Sequence, residues 1–287
     1  MPYTPRILTL LVVAAIGLAG CTRPVPKPEA TTGGPPESQP DRDKSAAEQP
    51  SKVTVLRVPN GGIQPQVLAD AMGTLHLIYY KGDPGAGDLF YVRREASQER
   101  FSDPIRVNSR QASAIAAGSV RGGQIALGKG GRIHVAWNDS GKAGGEGVLY
   151  ARMDDSGTAF EEQRNLLQTT SIMDGGCTVA ADDAGNVYVA WHALKTGDER
   201  GEVRRKVWVA RSVDEGKTFS GEAAAWAKPT GVCPCCSMRA FAAGQGSVYA
   251  LYRSATDGVD RDIYLLASTD QGKNFQGTLI HNWKVPG

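Results

Sequence analysis

Two eight-residue stretches decide the fold: Ser212-Val-Asp-Glu-Gly-Lys-Thr-Phe219 and Ser268-Thr-Asp-Gln-Gly-Lys-Asn-Phe275. In each stretch the aspartate can accept hydrogen bonds from the amides of a tight turn, and the glycine can adopt a positive φ. The final aromatic ring can pack the turn onto a sheet. The positions that define the pattern are Ser212, Asp214, Gly216 and Phe219, and then Ser268, Asp270, Gly272 and Phe275. We expect them to be structural, with no catalytic role.

A strand pattern recurs around these stretches. A turn glycine precedes an alternating apolar strand at 73–80, 131–138, 185–192 and 246–253, in steps of 58, 54 and 61 residues. Another apolar strand comes before each copy and forms a hairpin with it, as the turn residues between them require. A third strand follows a variable loop, and a fourth closes each copy. Residues 53–58 predict one additional outer strand.

Weaker copies of the turn pattern occur in the first two repeats. They place Met153, Asp155, Gly157 and Phe160, and then Arg94, Ala96, Gln98 and Phe101, in the same positions. Together with the strand repeat, the pattern resembles the sialidase-like Asp-box (BNR repeat) β-propellers over roughly residues 53–287. The resemblance implies an all-β fold of four-stranded blades around a channel. Because the family usually has six blades and four are readable here, we expect an incomplete six-bladed propeller or an unusual closure.

Composition excludes several classes of protein. Lys and Arg number 32 and Asp and Glu 30, so the formal charge of +2 gives no electrostatic reason to expect nucleic acid as a partner. The 35 glycines argue against a helix-dominated fold, because glycine destabilises helices. Hydrophobic residues at 41% are sufficient for a core.

The N-terminus carries an export signal. Arg6 precedes an apolar run over 7–18, which is shorter than a membrane span and fits a signal peptide. Leu18-Ala-Gly-Cys21 resembles the lipobox of bacterial lipoproteins, which implies cleavage after residue 20 and lipidation of Cys21. The alternative is an ordinary signal peptide with an incidental cysteine. Because Thr22 and not aspartate follows Cys21, we expect a lipid anchor in the outer membrane rather than the inner one.

Residues 21–52 are rich in proline, serine, glycine and charge, and have almost no large apolar side chains. Such a segment buries too little surface to offset its ordering entropy. We therefore expect a disordered tether between the lipid and the propeller at 53–287, outside the cytoplasm.

One face of the propeller is the candidate binding surface. It carries the loops from strand four to the next strand one and the loops from strand two to strand three; we call it the loop face. In the resembling family, this face binds the ligand. Polar residues at this face predict a site for a small molecule, glycan or protein, and the alternative for each is a solvated loop end. The candidates are Arg121, Asn138, His192, Arg239 and Arg253.

The cysteines beyond Cys21 all fall in loops of this face. They are Cys177, Cys233, Cys235 and Cys236. Export permits disulfides, with Cys233–Cys236 and Cys177–Cys235 as one pairing. The alternatives are a soft metal site that binds copper or zinc, and a redox-active C-x-x-C pair.

Catalysis is the weaker hypothesis. The resemblance implies an Arg-Ile-Pro-like motif, three arginines and a Tyr–Glu pair for sialidase activity. Only Arg57-Val58-Pro59 approaches the motif, and it lies before strand one. We therefore favour a non-catalytic module that binds a ligand or partner, with a sialidase-type glycoside hydrolase as the first alternative and a metal or redox module as the second. His76 and His134 share a strand position with Tyr188 and Tyr249, which favours packing over metal binding.

Overall fold

The computed structural model describes residues 53, 55–118, 122–142, 145–171 and 175–284. Within them a compact unit begins at Val55. The signal peptide, the tether and Cys21 lie outside the described residues, as does Arg121. None of the described segments forms a helix of the length and apolar character that a membrane crossing needs.

Four antiparallel sheets form four blades, and each follows the chain order of its strands. Blade one has β1 (Ile63–Ala69), β2 (Leu75–Asp83), β3 (Ala86–Arg94) and β4 (Ile105–Arg106). Blade two has β5 (Gln124–Leu127), β6 (Ile133–Asn138), β7 (Val148–Arg152) and β8 (Arg164–Asn165). Blade three has β9 (Thr170–Ser171), β10 (Thr178–Ala181), β11 (Val187–Lys195), β12 (Lys206–Ser212) and β13 (Ala223–Ala224). Blade four has β14 (Arg239–Ala243), β15 (Ser247–Arg253), β16 (Ile263–Ser268) and β17 (Gln276–His281).

The predicted four-strand repeat is confirmed in every blade. Short β9 is an addition, since it pairs with the end of β11 beyond the main sheet. Three single-turn 3₁₀ helices occupy connections, at Pro59–Gly61, Lys129–Gly131 and Glu202–Arg204. The prediction of a strand over 53–58 is wrong where the structure describes it, because residues 55–58 have no ladder partner. Val58 instead packs on the core at the outer side of blade one.

The core lies between blades. One apolar cluster joins blades one and two, a second joins blades two and three, and a third joins blades three and four. No apolar cluster of the described residues joins blade four to blade one. In blade four, Phe241 is 67% exposed and Leu251 is 43% exposed.

The Asp-box turns connect one blade to the blade before it. In blade three, Asp214 accepts hydrogen bonds from the Ser212 hydroxyl at 2.6 Å and from the Thr218 amide at 2.9 Å. Phe219 then packs edge-on against Tyr150 of blade two, with ring centroids 4.8 Å apart. The turn in blade four repeats the arrangement, with Phe275 in the core that contains Tyr188 of blade three. The aromatic ring therefore packs on the preceding blade.

In blade two, the aspartate that stabilises the turn is not the one that the pattern predicts. Asp154 accepts the Thr158 amide at 3.1 Å, whereas Asp155 pairs with Arg132 at 2.6 Å. The prediction for Asp155 is wrong because the turn is shifted by one residue relative to blades three and four. Spacing alone does not show this shift.

His76 and His134 are packing residues. Each ring nitrogen Nδ1 lies within hydrogen-bond distance of a buried tyrosine hydroxyl, Tyr91 at 2.7 Å and Tyr150 at 2.6 Å. Burial, with Arg132 and Arg152 nearby, lowers the pKa of His134 to about 3, so this imidazole is neutral in the native protein at neutral pH. These histidines support the inter-blade cores.

The Asp-box carboxylate makes stability depend on acid pH. Partial burial by itself raises the pKa of Asp214, but hydrogen bonds from Ser212 and Thr218 outweigh it and lower the pKa to about 2. Its stabilising contribution is therefore complete above the ordinary pKa of 3.8 and is lost as the pH falls towards 2. We expect the thermal midpoint to fall more steeply between about pH 4 and about pH 2 in the natural protein than in Asp214→Asn. Equal slopes in calorimetry would contradict this assignment.

Candidate functional site

Asn138 holds the loop that enters blade three. It ends β6 and is buried. Its side-chain amide donates to the Gly175 carbonyl at 2.7 Å, and its carbonyl oxygen accepts the Cys177 amide at 3.2 Å. The same side chain thus satisfies both ends of a short buried loop. Asn138 reaches the loop face as predicted by its position, but its polar atoms bind main chain.

His192 packs against the loop that enters blade three. It lies within β11 and is 1% exposed. The imidazole packs against Gly175 so closely that a Cβ there would lie 2.0 Å from Nε2 and 2.8 Å from the Pro234 carbonyl oxygen. Gly175 is therefore required for this close approach. The Pro234 carbonyl oxygen, in the loop that carries three of the cysteines, also faces Gly175.

Three thiols converge in that loop, over Cys233–Cys236. The Cys233 Sγ lies 3.2 Å from that of Cys235 and 3.1 Å from that of Cys236, and the latter two lie 4.0 Å apart. The Cys236 amide donates to the Cys233 carbonyl, which closes a turn and brings the side chains to one side. The Cys233 amide donates to the Arg253 carbonyl and fixes the turn to β15. We call Cys233, Cys235 and Cys236 the thiol cluster.

The thiol cluster is exposed on one side only. Cys233 is 2% exposed, Cys236 is half-buried, and Cys235 is exposed. All of them are free thiols in the structure, and their sulfurs are farther apart than the roughly 2.05 Å of a disulfide bond. A small ion can therefore reach the cluster from the loop face.

Arg253 supplies positive charge to the thiol cluster. Its Nη1 donates to the Cys236 Sγ at 3.6 Å, and its Nε donates to the Arg261 carbonyl at 3.3 Å. The guanidinium also lies over the Trp283 ring, 4.6 Å from the centroid. Neither of these other contacts is a carboxylate, so they leave the guanidinium charge available to the sulfur. Arg261 also acts on the thiols electrostatically, but it forms an ion pair with Glu202 at 2.7 Å.

The thiols of the cluster differ in acidity. Burial and hydrogen bonding to Cys236 and Cys235 raise the pKa of Cys233. Burial also raises the pKa of Cys236, but the hydrogen bonds from Cys233 and Arg253 outweigh it, so its net pKa is lowered. Cys236, beside the guanidinium, is therefore more acidic than Cys233.

The structure separates the remaining cysteine and arginine from this arrangement. Cys177 is buried and does not belong to the thiol cluster. Arg239 is exposed at the start of β14, where its guanidinium donates to the Met238 carbonyl at 3.3 Å and weakly to the Ser237 hydroxyl. The sequence placed Arg253 at this face but did not indicate Arg261, which acts on the thiols, or Trp283, which lies under the Arg253 guanidinium. Both contacts depend on how the blade-four loops fold back.

Cys177 should resist chemical modification in the folded protein. It is 2% exposed, and burial raises its pKa to about 12. Alkylation of the reduced native protein is expected to label Cys235 first and to leave Cys177 unlabelled until urea is added. Peptide mass spectrometry measures this order. Labelling of Cys177 at the rate of Cys235 would show that its loop is open.

Comparisons with known proteins place the fold. No family model and no curated protein matches the chain. A solved protein of unknown function from Dyadobacter fermentans is similar at 18% identity and a TM-score of 0.51, over 76% of this chain and 64% of that chain. An α-L-arabinofuranosidase from Fusarium graminearum has 12% identity and a TM-score of 0.49, over 75% of this chain and 65% of that chain. The NanB sialidase of Streptococcus pneumoniae has 12% identity and a TM-score of 0.44, over 66% of this chain and 27% of that chain. The chain thus spans less than two thirds of the length of these proteins. Its four antiparallel sheets are the blades of a β-propeller.

Proposed function

We propose that the protein is a lipid-anchored, extracytoplasmic propeller that acts as a non-catalytic binding module, and that its ligand is a thiophilic metal ion held by the thiol cluster. The observation that carries the proposal is the convergence of Cys233, Cys235 and Cys236, whose ligand atoms all lie within 4.8 Å of one another. The lipobox-like sequence that ends at Cys21 supports the lipid anchor and the extracytoplasmic location.

Thiolates select soft metal ions. Cu(I) and Zn(II) bind thiolate sulfur strongly, whereas Mg²⁺ and Ca²⁺ prefer oxygen ligands. Here a turn with two backbone hydrogen bonds gathers the three ligands in advance of the ion. Asn138 and His192 both contact Gly175, in the neighbouring loop.

The same region does not favour glycoside hydrolysis. That reaction generally needs two carboxyl groups in acid and nucleophile roles, or a tyrosine nucleophile activated by a carboxylate. Two acidic residues in the adjacent loops have structural partners: Glu202 pairs with Arg261, and Asp262 accepts the Trp283 amide at 2.7 Å. In the part of the chain that the structure describes, hydrogen-bonded tyrosine hydroxyls contact asparagine, histidine, threonine and main-chain partners.

Metal content and thiol count test the proposal. The full chain, extracted in detergent and reduced without oxygen, is incubated with Cu(I) or Zn(II), desalted and analysed for bound metal. We expect one equivalent of metal and protection of three thiols from alkylation. Hydrolysis of a fluorogenic sialoside should be undetectable.

A matched pair of variants separates the cluster from the other cysteine. Cys233→Ser/Cys235→Ser/Cys236→Ser should retain no metal, whereas Cys177→Ala should retain one equivalent. If the reduced natural protein binds neither ion, the proposal is wrong, and the cysteines then belong to a disulfide or redox pair. Turnover of the sialoside would establish the hydrolase alternative.

A further inference from the structure

The thiol cluster also specifies which ion it holds. We infer that it is a three-coordinate Cu(I) site, with Cys233, Cys235 and Cys236 as the complete set of protein ligands and Arg253 as its charge partner. This inference rests on the proposed function, because it names the ion that the same site takes. It separates copper from zinc, which the residue types alone leave open.

The number of ligands favours Cu(I). Structural zinc sites are almost always closed by four protein ligands in a tetrahedron. Within the described residues, no fourth histidine, cysteine, aspartate or glutamate atom lies within 4.8 Å of all three sulfurs. Cu(I) is a soft, closed-shell ion that three thiolates satisfy without a fourth ligand. Zinc in the same cluster needs a water molecule to complete its coordination.

The three sulfurs already approximate a triangle. Their separations are 3.1, 3.2 and 4.0 Å, so a single ion between them contacts all three after small side-chain rotations. The turn over Cys233–Cys236 and its hydrogen bond to the Arg253 carbonyl hold this triangle against β15. The Cys177 thiol lies in the loop of the preceding blade, outside the triangle.

Charge makes Arg253 part of the site. Binding of Cu(I) replaces three thiol protons by one positive charge, so the bound cluster carries a net charge of −2 and three protons are released to solvent. The Arg253 guanidinium is 3.6 Å from the Cys236 sulfur and offsets part of this charge. The charge of Arg261 is already balanced by Glu202, which leaves Arg253 as the principal cation for the cluster.

The exposed side of the cluster permits exchange. Cys235 is exposed, whereas Cys233 is buried beneath it. An incoming thiolate or thioether can therefore replace Cys235 as a ligand without unfolding the loop. During this exchange, the bond between copper and the Cys235 sulfur breaks as the bond to the incoming sulfur forms. The copper remains Cu(I) throughout.

The test compares Cu(I) with Zn(II) on the full chain under anaerobic conditions. Titration against a chromophoric Cu(I) chelator should give one copper per chain, and a tenfold excess of Zn(II) should not displace it. X-ray absorption of the copper-loaded protein should show three sulfur neighbours and no nitrogen or oxygen neighbour. Preferential zinc retention, or a fourth light-atom ligand, would overturn the inference while leaving the proposed metal-binding function intact. Failure to bind either ion would overturn both.

Two variants test the assigned roles. Cys235→Ser should weaken Cu(I) binding by more than a hundredfold, because two thiolates remain. Arg253→Gln should weaken it about tenfold with one copper still bound, since a charge partner is lost but all ligands stay. Cys177→Ala is the control and should bind as the natural protein does. Thermal unfolding of each variant checks that the fold is intact, and unchanged affinity in Arg253→Gln would remove that residue from the site.

Discussion

Replacement of Trp191 by alanine is expected to lower the free energy of unfolding by about 3–5 kcal/mol. The indole is fully buried in the core between blades two and three, and its N–H donates to the Thr170 hydroxyl at 3.1 Å. It also lies directly opposite Trp208 across the β11–β12 ladder. The alanine variant leaves a large cavity and removes the hydrogen-bond partner of Thr170, so both packing and polar satisfaction are lost.

Phe241→Ala is the matched control for this substitution. It also removes an aromatic ring from a blade, but Phe241 is 67% exposed. Its effect should stay within about 0.5 kcal/mol, as is usual for surface positions. The free energy of unfolding of both variants is measured by urea denaturation, monitored by far-UV circular dichroism so that the loss of a tryptophan does not affect the signal. Similar losses in the two variants would mean that the inter-blade core is not formed as described.

Gly216→Ala is the second substitution with a large expected effect. Gly216 has a φ of +75°, and a Cβ at this position would lie 1.9 Å from the Tyr150 hydroxyl oxygen. Tyr150 cannot easily yield, because its ring is buried and its hydroxyl hydrogen-bonds to His134 at 2.6 Å. The variant must therefore displace the turn from the preceding blade. We expect a loss of about 1–3 kcal/mol from overpacking, added to the backbone strain.

Gly157→Ala isolates the backbone contribution. Gly157 occupies the corresponding turn of blade two with a φ of +69°, and nothing lies within 4 Å of a Cβ built there. Its substitution should cost about 1–2 kcal/mol from the left-handed conformation alone. The difference between the two variants in urea denaturation measures the steric clash with Tyr150. A difference near zero would contradict the close packing of the Asp-box turn on the preceding blade.

The blade architecture was predictable because its signals are local. The alternation of each hairpin and the turn chemistry of Ser212, Asp214 and Gly216 lie within a few residues of one another, and the described blades follow them. The spacing pattern gave a wrong prediction in blade two, where the aspartate that accepts the turn amide lies one residue earlier than the pattern places it. Asp155 satisfies the spacing, yet Asp154 accepts the turn amide, since the ion pair of Asp155 with Arg132 depends on a residue 23 positions away.

For the candidate site, the sequence predicted which face of the propeller carries it but not the contacts that its residues make. Asn138 ends its strand and His192 lies within β11, and the sequence does not show that both pack against the loop that enters blade three. These roles depend on contacts such as the one between His192 and Gly175, where the absence of a side chain lets the ring approach.

For the cysteines, sequence and tertiary structure made separate contributions. The sequence by itself determined the four-stranded repeat, the Asp-box turns and the placement of Cys177, Cys233, Cys235 and Cys236 in loops of one face, because strand alternation and turn residues act over short distances. Only the tertiary structure decided that three thiols converge, that Cys177 is buried apart from them and that Arg253 faces the sulfur of Cys236. The physical reason is that these relations depend on how neighbouring blades and their loops pack, and residues far apart in the chain determine that packing.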